Sequence, residues 1–265
     1  MKHFIDINSF KKKEINEIIS LAKKIKKTPK KYSSSCKDKT LGLIFEKQSL
    51  RTRLSCNVGM QKLGGSVLEL KSKDIGFDNK REKAEDVLNV LSQYIDCIMI
   101  RNNNHKQIVN LSKENILPII NGLTEYSHPC QILGDFLTLQ EYLKSIKNAI
   151  IAWIGDYNNV LRSLIHLQNI YNFKLNLIIP KEIFKNYKKE FQQYKNKKKY
   201  FKNYTVDKKI ISNAKNNVIF MHCLPAKRGQ EVTSEVLDGK NSVVLMQAKN
   251  RMYVQQAILI YVLKK

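Results

Sequence analysis

Short apolar runs alternate with helical patterns along almost the whole chain, and this alternation constrains the fold more than any other feature. Four runs typical of buried strands lie in each half, with apolar residues at helical spacing between them near 51–63, 84–94 and 106–112. Strands that alternate with helices form parallel sheets. We therefore predict an α/β protein of two domains, each a parallel sheet with flanking helices, with strands at 41–45, 66–70, 97–100, 117–120, 149–154, 175–179, 218–221 and 242–246.

Three longer helical patterns organise the chain around these sheets. The first covers 8–27 and offers Asn8 or Ser9 as its N-cap. One helix at 130–146 joins the two halves, and a closing helix at 250–265 has an apolar face that must pack on another element. We predict a first domain at 1–136, a second domain at 137–249, and a C-terminal helix at 250–265 that packs back on the first domain.

Composition argues against several classes of protein. No apolar run approaches the roughly 20 residues that a membrane-spanning helix needs. The N-terminal segment has no continuous apolar stretch followed by a small-residue cleavage site, so we expect a cytoplasmic protein. The five cysteines are widely spaced without a Cys-x-x-Cys pair, and the five histidines show no metal-ligand spacing. We therefore expect reduced thiols and no metal.

The formal charge of +24 is the most extreme compositional value. Lysines occur throughout the chain, including on predicted helix faces, so a solvated basic surface is the simplest explanation. The alternative is a polyanionic partner, because lysines alternate with aromatic residues at 194–209, a pattern that suits single-stranded nucleic acid. Without a recognised motif, this basic stretch supports only a remote alternative, and we expect no nucleic-acid partner.

A polar cluster follows the first predicted strand and opens the next helix. Ser49 and Thr52 supply hydroxyl groups, and Arg51 supplies a guanidinium fork. The first N–H groups of a helix have no partner within that helix and attract anions. The cluster therefore predicts an anion cradle suited to phosphate; taken alone, it could also be an ordinary N-cap with surface arginines.

Polar residues also follow four other predicted strands. Arg101 ends the third strand, and a loop leads from the fourth strand to His128 and Gln131. GDYNN at 155–159 and HCLP at 222–225 follow two strands of the second half. Ligands of parallel sheets bind beyond the carboxyl ends of the strands. We therefore expect both halves to direct these side chains into one cleft.

Four motifs in this order resemble the signatures of the aspartate/ornithine carbamoyltransferase family: FEKQSLRTR, HPCQ, GDYNN and MHCLPAKRGQEV. HCLP is similar to the ornithine-specific members, and the likeness continues through KNRMYVQQAILIYVL, so it covers nearly the whole chain. The resemblance implies a homotrimer that transfers the carbamoyl group of carbamoyl phosphate to L-ornithine, giving L-citrulline and phosphate in arginine metabolism without a cofactor. It also implies that the first domain binds carbamoyl phosphate and the second binds the amino acid.

The resemblance also implies roles for individual residues. Arg101, His128 and Cys223 would be catalytic, the first two at the carbonyl oxygen, where negative charge develops and needs cations and donors. The residues implied for carbamoyl phosphate are Ser49, Leu50, Arg51, Thr52, Arg101, His128 and Gln131. Leu50 stands where the family has threonine, so it can act only through its backbone N–H. The residues implied for ornithine are Asn159, Cys223, Leu224 and Arg251.

One family feature has no counterpart in this sequence. Family members carry a further strand and a Ser-Met-Gly loop before the HCLP strand, whereas this chain has the lysine-rich segment 194–204 and no Ser-Met-Gly. We therefore predict a second sheet that is one βα unit short. A relative that binds carbamoyl phosphate but is catalytically impaired, or that uses another acceptor, is the alternative suggested by this departure.

Overall fold

The larger sheet has four parallel strands within the part of the chain that the structure describes. The computed structural model describes residues 1–46, 49–71, 82–185 and 200–264. The strands of this larger sheet are β1 (Thr40–Phe45), β2 (Ser66–Lys71), β3 (Cys97–Arg101) and β4 (Ile119–Leu123). They lie side by side in the order β2-β1-β3-β4. All neighbours are parallel, so every strand ends at the same edge of the sheet.

A smaller sheet follows in the second half of the chain. It pairs β5 (Ile150–Ile154) with β6 (Lys174–Ile178) in parallel. Over the described residues this second sheet has two strands, against four in the first. The α/β prediction, with two parallel sheets of which the second is smaller, is confirmed.

Ten α-helices within the described ranges flank these sheets. They are α1 (Lys12–Lys27), α2 (Leu50–Lys62), α3 (Ala84–Leu91), α4 (His105–Lys113), α5 (Pro129–Tyr142), α6 (Asn159–Tyr171), α7 (Lys181–Lys185), α8 (Lys208–Ser212), α9 (Ser234–Leu237) and α10 (Val244–Leu263). Short 3-10 turns lie at Ile7–Ser9 and Pro29–Tyr32. None of these helices is both long and apolar enough to cross a membrane.

The predicted N-cap of the first helix is wrong. The Ile7–Ser9 turn ends before the helix, and Lys11 takes the N-cap position. The backbone N–H of Lys11 donates to the Glu14 carboxylate at 2.9 Å. An acidic side chain three residues into the helix satisfies the free N–H, and this acidic residue, not Asn8 or Ser9, was the useful signal.

The strands predicted at 218–221 and 242–246 are also wrong. Phe220 and Ser242 form one isolated parallel bridge, and α10 already begins at Val244, earlier than the predicted residue 250. Val244 and Gln247 are buried whereas Leu245 is exposed, so the buried residues of this segment lie on one face of a helix. A short apolar run has the same appearance in a buried strand and in a buried helix, which explains the error.

The closing helix α10 packs against α1, α2 and α5 in the main core. Gly134 on α5 lets the two backbones approach, because a Cβ there would lie 3.1 Å from the Cα of Arg251. The amide of Asn250 donates to Thr138 Oγ1 at 3.0 Å and to Glu141 at 2.8 Å. These contacts hold α10 against the C-terminal half of α5. The domain boundaries at 136 and 249 stay predictions.

Candidate active site

Arg101 and the start of α2 meet at the edge of the larger sheet. Strand register places Phe45 opposite Arg101, and the Glu46 N–H donates to the Arg101 carbonyl at 3.1 Å. The Arg101 side chain therefore extends beside α2, where Nη1 donates to Ser49 Oγ at 3.0 Å and lies 3.5 Å from Thr52 Oγ1. Arg101 thus lies in direct contact with Ser49 and Thr52, two of the residues expected in the anion cradle.

Ser49 occupies the N-cap position of α2, but among the described residues its hydroxyl makes no capping hydrogen bond. The hydroxyl instead accepts a hydrogen bond from Arg101, which leaves the first N–H groups of α2 available to an anion. Leu50, the next residue, has a side chain that is 69% exposed. Its position fits a role through the backbone alone.

Arg51 adds charge to the same place. Its guanidinium is among the causes that lower the pKa values of Arg101 and Arg251, after burial in each case. It also lowers the pKa of His222, after burial, and partly opposes the rise in the pKa of the Cys223 thiol, because its charge favours the thiolate. The guanidinium groups of Arg51, Arg101 and Arg251 repel one another, and a bound anion would relieve that repulsion.

His128 is buried at the N-cap position of α5, directly before Pro129. Burial, and then the charges of Arg251 and Arg101, hold the pKa of His128 well below its usual range. The imidazole is therefore neutral at pH 7, with one nitrogen that donates and one that accepts. Its Nδ1 is buried without a hydrogen-bond partner in the described structure.

A buried polar network positions the backbone of His128. The His128 N–H donates to Ser163 Oγ at 2.9 Å, and that hydroxyl lies 3.1 Å from Ser127 Oγ. Ser127 in turn donates to the Asp6 carboxylate at 3.0 Å, which also accepts from the Ile7 N–H at 2.7 Å. The network left no signal in the sequence, because its members belong to no motif and lie far apart in the chain.

Gln131 and Arg251 form a buried pair between α5 and α10. Arg251 Nη1 donates to Gln131 Oε1 at 2.6 Å. Gln131 Nε2 donates to Asp135 Oδ1 at 2.7 Å, and Gln247 Nε2 donates to the same oxygen at 2.7 Å. Asp135 and Gln247 were not predicted as site residues. The available signal was helical spacing, since each lies four residues from a predicted residue on its own helix.

The HCLP segment reaches this pair through Gln247. The His222 N–H donates to Gln247 Oε1 at 2.9 Å, and the Leu224 N–H donates to His222 Nδ1 at 2.9 Å. Leu224 has a left-handed backbone with φ of 51°. Burial, and then the neighbouring Asp135 carboxylate, raise the pKa of the Cys223 thiol to about 11, so Cys223 is a neutral thiol at pH 7.

Asn159 has a different environment. It is the first residue of α6, and its Nδ2 donates to the Thr124 carbonyl at 2.6 Å in the loop after β4. Within the described residues, no hydrogen bond joins Asn159 to Arg101, Arg251 or Cys223. The structure therefore brings Ser49, Thr52 and Arg101 into one cluster and places Asn159 against the loop that leads to His128.

The basic stretch at 194–209 lies partly outside the described residues. In the part that is described, the rings of Phe201 and Tyr204 pack edge to face with centroids 5.9 Å apart. Asp207 caps α8 by accepting from the Ile210 N–H at 2.9 Å. These residues therefore stabilise local structure, and no observation favours the nucleic-acid alternative. The described residues also contain no group of three or more His, Cys, Asp or Glu that could hold a metal ion.

Comparison with known proteins adds independent information. The family model for the carbamoyl-P binding domain of aspartate/ornithine carbamoyltransferase matches residues 2–141, and the model for its Asp/Orn binding domain matches residues 185–262. An ornithine carbamoyltransferase of Ruthia magnifica is 37% identical over 298 residues, covering 99% of both chains. That span exceeds the 265 residues of this chain, so the relative carries residues that this chain lacks.

Solved structures agree. The ornithine carbamoyltransferase of Thermus thermophilus superposes with a TM-score of 0.89 at 30% identity, covering 100% of this chain and 99% of the other. The anabolic enzyme of Campylobacter jejuni gives a TM-score of 0.87 at 31% identity, covering 99% of both. With the motifs, the fold and the strand-end cluster in agreement, this chain belongs to the aspartate/ornithine carbamoyltransferase family.

Proposed function

We propose that this protein is an ornithine carbamoyltransferase, which transfers the carbamoyl group of carbamoyl phosphate to L-ornithine and releases L-citrulline and phosphate. The observation that carries the proposal is the contact of Arg101 with Ser49 beside a buried, neutral His128. The names of the relatives support the same activity.

The phosphate group is the part of the donor that the start of α2 fits best. The backbone N–H groups of this helix, the hydroxyls of Ser49 and Thr52, and the guanidinium of Arg51 supply donors and positive charge. As phosphate leaves, its negative charge increases, and fixed cations stabilise it without having to reorganise.

The carbonyl oxygen becomes negative when the ornithine amine attacks the carbamoyl carbon. Arg101 and His128 are the donors proposed to meet it, because a neutral imidazole can donate one hydrogen bond while it adds no charge of its own. Donors aligned with such an oxyanion are each worth about 3 kcal/mol of transition-state stabilisation.

Gln131 is proposed to accept from the carbamoyl nitrogen through Oε1, the atom that also accepts from Arg251. For ornithine we propose Asn159, Cys223, Leu224 and Arg251. Because the Cys223 thiol is neutral, it would contact the substrate amine as a weak polar group and would not act as a nucleophile.

A homotrimer is part of the proposal. Leu50, Leu54 and Val58 lie four residues apart on α2 and are 69%, 52% and 36% exposed, so they form an apolar stripe along one helix face. An exposed apolar stripe of this kind is typical of a surface that another subunit covers. A cytoplasmic location likewise stays a prediction.

The decisive experiment is an assay of the purified full chain with saturating carbamoyl phosphate and L-ornithine. We expect citrulline and phosphate in equal amounts, and Arg51→Ala should raise the KM for carbamoyl phosphate more than about tenfold. Exposed Lys147 offers the matched control, Lys147→Ala, with no change in KM. If carbamoyl phosphate protects the chain against thermal unfolding but no citrulline forms, the acceptor-altered alternative replaces this proposal.

A further inference from the structure

Asp135 connects two parts of the site through a single oxygen atom. Its Oδ1 accepts from Gln131 Nε2 and from Gln247 Nε2, each at 2.7 Å. Both glutamine side chains are buried, so neither amide can exchange these bonds for water without cost. The position of Asp135, one helical turn after Gln131, brings it under both amides.

The chemistry of a carboxylate fixes which end of each amide faces it. An ionised carboxylate only accepts hydrogen bonds, whereas an amide has an NH₂ end that donates and an oxygen end that accepts. The NH₂ end of Gln131 must therefore face Asp135. Its oxygen must face the other way, where it lies 2.6 Å from Arg251 Nη1.

The donor substrate needs an acceptor at this place. A carbamoyl group carries an NH₂ that donates, and an acetyl group of nearly the same shape carries a methyl that cannot. An oxygen held toward the carbamoyl nitrogen would favour the first, whereas an amide free to rotate would present either end.

We propose that Asp135 is a positioning residue that holds the Gln131 oxygen toward the carbamoyl nitrogen and so makes the site select carbamoyl phosphate over acetyl phosphate. This inference rests on the proposed function, because it assumes carbamoyl phosphate as the donor. Asp135 acts through Gln131 and does not itself contact the donor.

The second hydrogen bond extends the same role to the HCLP segment. Because Asp135 holds Nε2 of Gln247, the oxygen of Gln247 faces the His222 N–H, to which it is bound at 2.9 Å. The Asp135 carboxylate thus orients two amides. One is the Gln131 amide, proposed to recognise the donor, and the other is the Gln247 amide, which anchors the loop proposed to surround the acceptor amine.

The test compares selectivity in wild type and Asp135→Asn. The KM for carbamoyl phosphate and the competitive inhibition constant for acetyl phosphate are measured in the citrulline assay, and their ratio gives the selectivity. Asparagine carries no charge and can present either its oxygen or its NH₂ group to Gln131, so the Gln131 oxygen is then held in place by Arg251 alone. We expect the ratio to fall about tenfold, the effect of losing one well-placed hydrogen bond.

Two further variants separate positioning from general loosening. Glu141→Gln removes another carboxylate from α5, one that binds Lys26 and Asn250, and should keep the wild-type ratio. Gln247→Met releases the loop but leaves the Gln131 contact, so it should raise the KM for ornithine while the ratio stays unchanged. A merely structural role for Asp135 would not produce this separation.

The outcomes are distinct. A ratio in Asp135→Asn within about twofold of wild type overturns the inference, as does an equal fall in Gln247→Met. If Asp135→Asn does not fold, Asp135→Ala is measured, and the same threshold applies. Failure of both to fold while Glu141→Gln folds also overturns it, because the carboxylate is then a requirement of the fold. A wild-type chain that makes no citrulline contradicts the proposed function instead.

Discussion

Arg101 Nη1 lies 3.0 Å from Ser49 Oγ, although 52 residues separate the two in the chain. The contact exists because β1 and β3 are neighbours in a parallel sheet, so the helix after one and the last residue of the other reach the same edge. The contact holds the Arg101 guanidinium, at the end of β3, beside the Ser49 hydroxyl, at the N-cap of α2, so that the two groups form one set of hydrogen-bond donors. Around it, the charges of Arg51 and Arg251 concentrate positive charge at this edge of the sheet.

The planar fork of Arg101 should be required for catalysis. Lysine keeps the charge but cannot bind Ser49 and a substrate oxygen with two donors of fixed geometry. We expect Arg101→Lys to lower kcat about 10²-fold to 10³-fold with little change in thermal stability, as steady-state kinetics and a thermal melt will show. Arg53→Lys is the control, since Arg53 is exposed and lies 3.6 Å from Glu69. Equal losses in both variants would contradict the assignment.

The low pKa of His128 predicts a specific dependence of stability on pH. Burial keeps the folded chain from binding a proton here, whereas the unfolded chain binds one below its ordinary pKa of about 6.5. Above a pH of about 6.5, His128 therefore costs no stability. As pH falls below that value, the free energy of unfolding decreases by about 1.4 kcal/mol per pH unit, because the unfolded chain binds a proton that the folded chain does not.

Urea unfolding at pH 7.5 and pH 5.5 checks this expectation in wild type and His128→Gln. The variant should lose about 1 kcal/mol less than wild type between the two pH values. Burial raises the pKa of Asp135 to about 6, which acts in the opposite sense below that pH, but it does so in both proteins and cancels in the comparison. Identical losses would show that His128 does not titrate as the structure implies.

Asp6 should be a large contributor to stability for a residue outside the reaction. Its Oδ1 accepts from the Ile7 N–H, from Ser127 Oγ and from His166 Nδ1 at 3.2 Å, and all of these donors lose their acceptor in Asp6→Ala. We expect the free energy of unfolding to fall by about 3 kcal/mol in urea. Asp207→Ala, which removes the cap of α8, should cost only about 1 kcal/mol. Equal decreases in the free energy of unfolding in Asp6→Ala and Asp207→Ala would mean that burial of the Asp6 network adds nothing to stability.

The apolar stripe on α2 predicts the assembly. Leu54→Glu places a charge in the middle of the stripe, and burial of that charge against another subunit would be costly. Wild type should have the mass of a trimer by light scattering, and Leu54→Glu that of a monomer. Leu245→Glu changes an equally apolar residue that is 78% exposed on α10 and should remain trimeric. A monomeric wild type would remove the trimer from the proposal.

Local patterns were sufficient for much of the fold. The runs at 41–45 and 97–100 match β1 and β3, which are largely buried, as is typical of short apolar runs bounded by turn residues. The run at 66–70 matches β2, an edge strand whose residues are exposed or only partly buried. The run at 242–246 did not match a strand, because burial alone does not distinguish a strand from the first turn of a buried helix such as α10. The difference is decided by what packs on the segment, and that is not local information.

Strand and helix periodicity was enough to predict two parallel sheets and to place Ser49, Arg101 and His128 after the carboxyl ends of strands, since parallel strands direct all their carboxyl ends one way. How these groups are held depends on contacts that form only in the folded chain. Asp6 and Ser127 are 121 residues apart, and Asp135 meets Gln247 only because α5 packs on α10. A hydrogen bond between distant residues leaves no periodic trace in a sequence, because it depends on the geometry of the packed core and not on spacing along the chain.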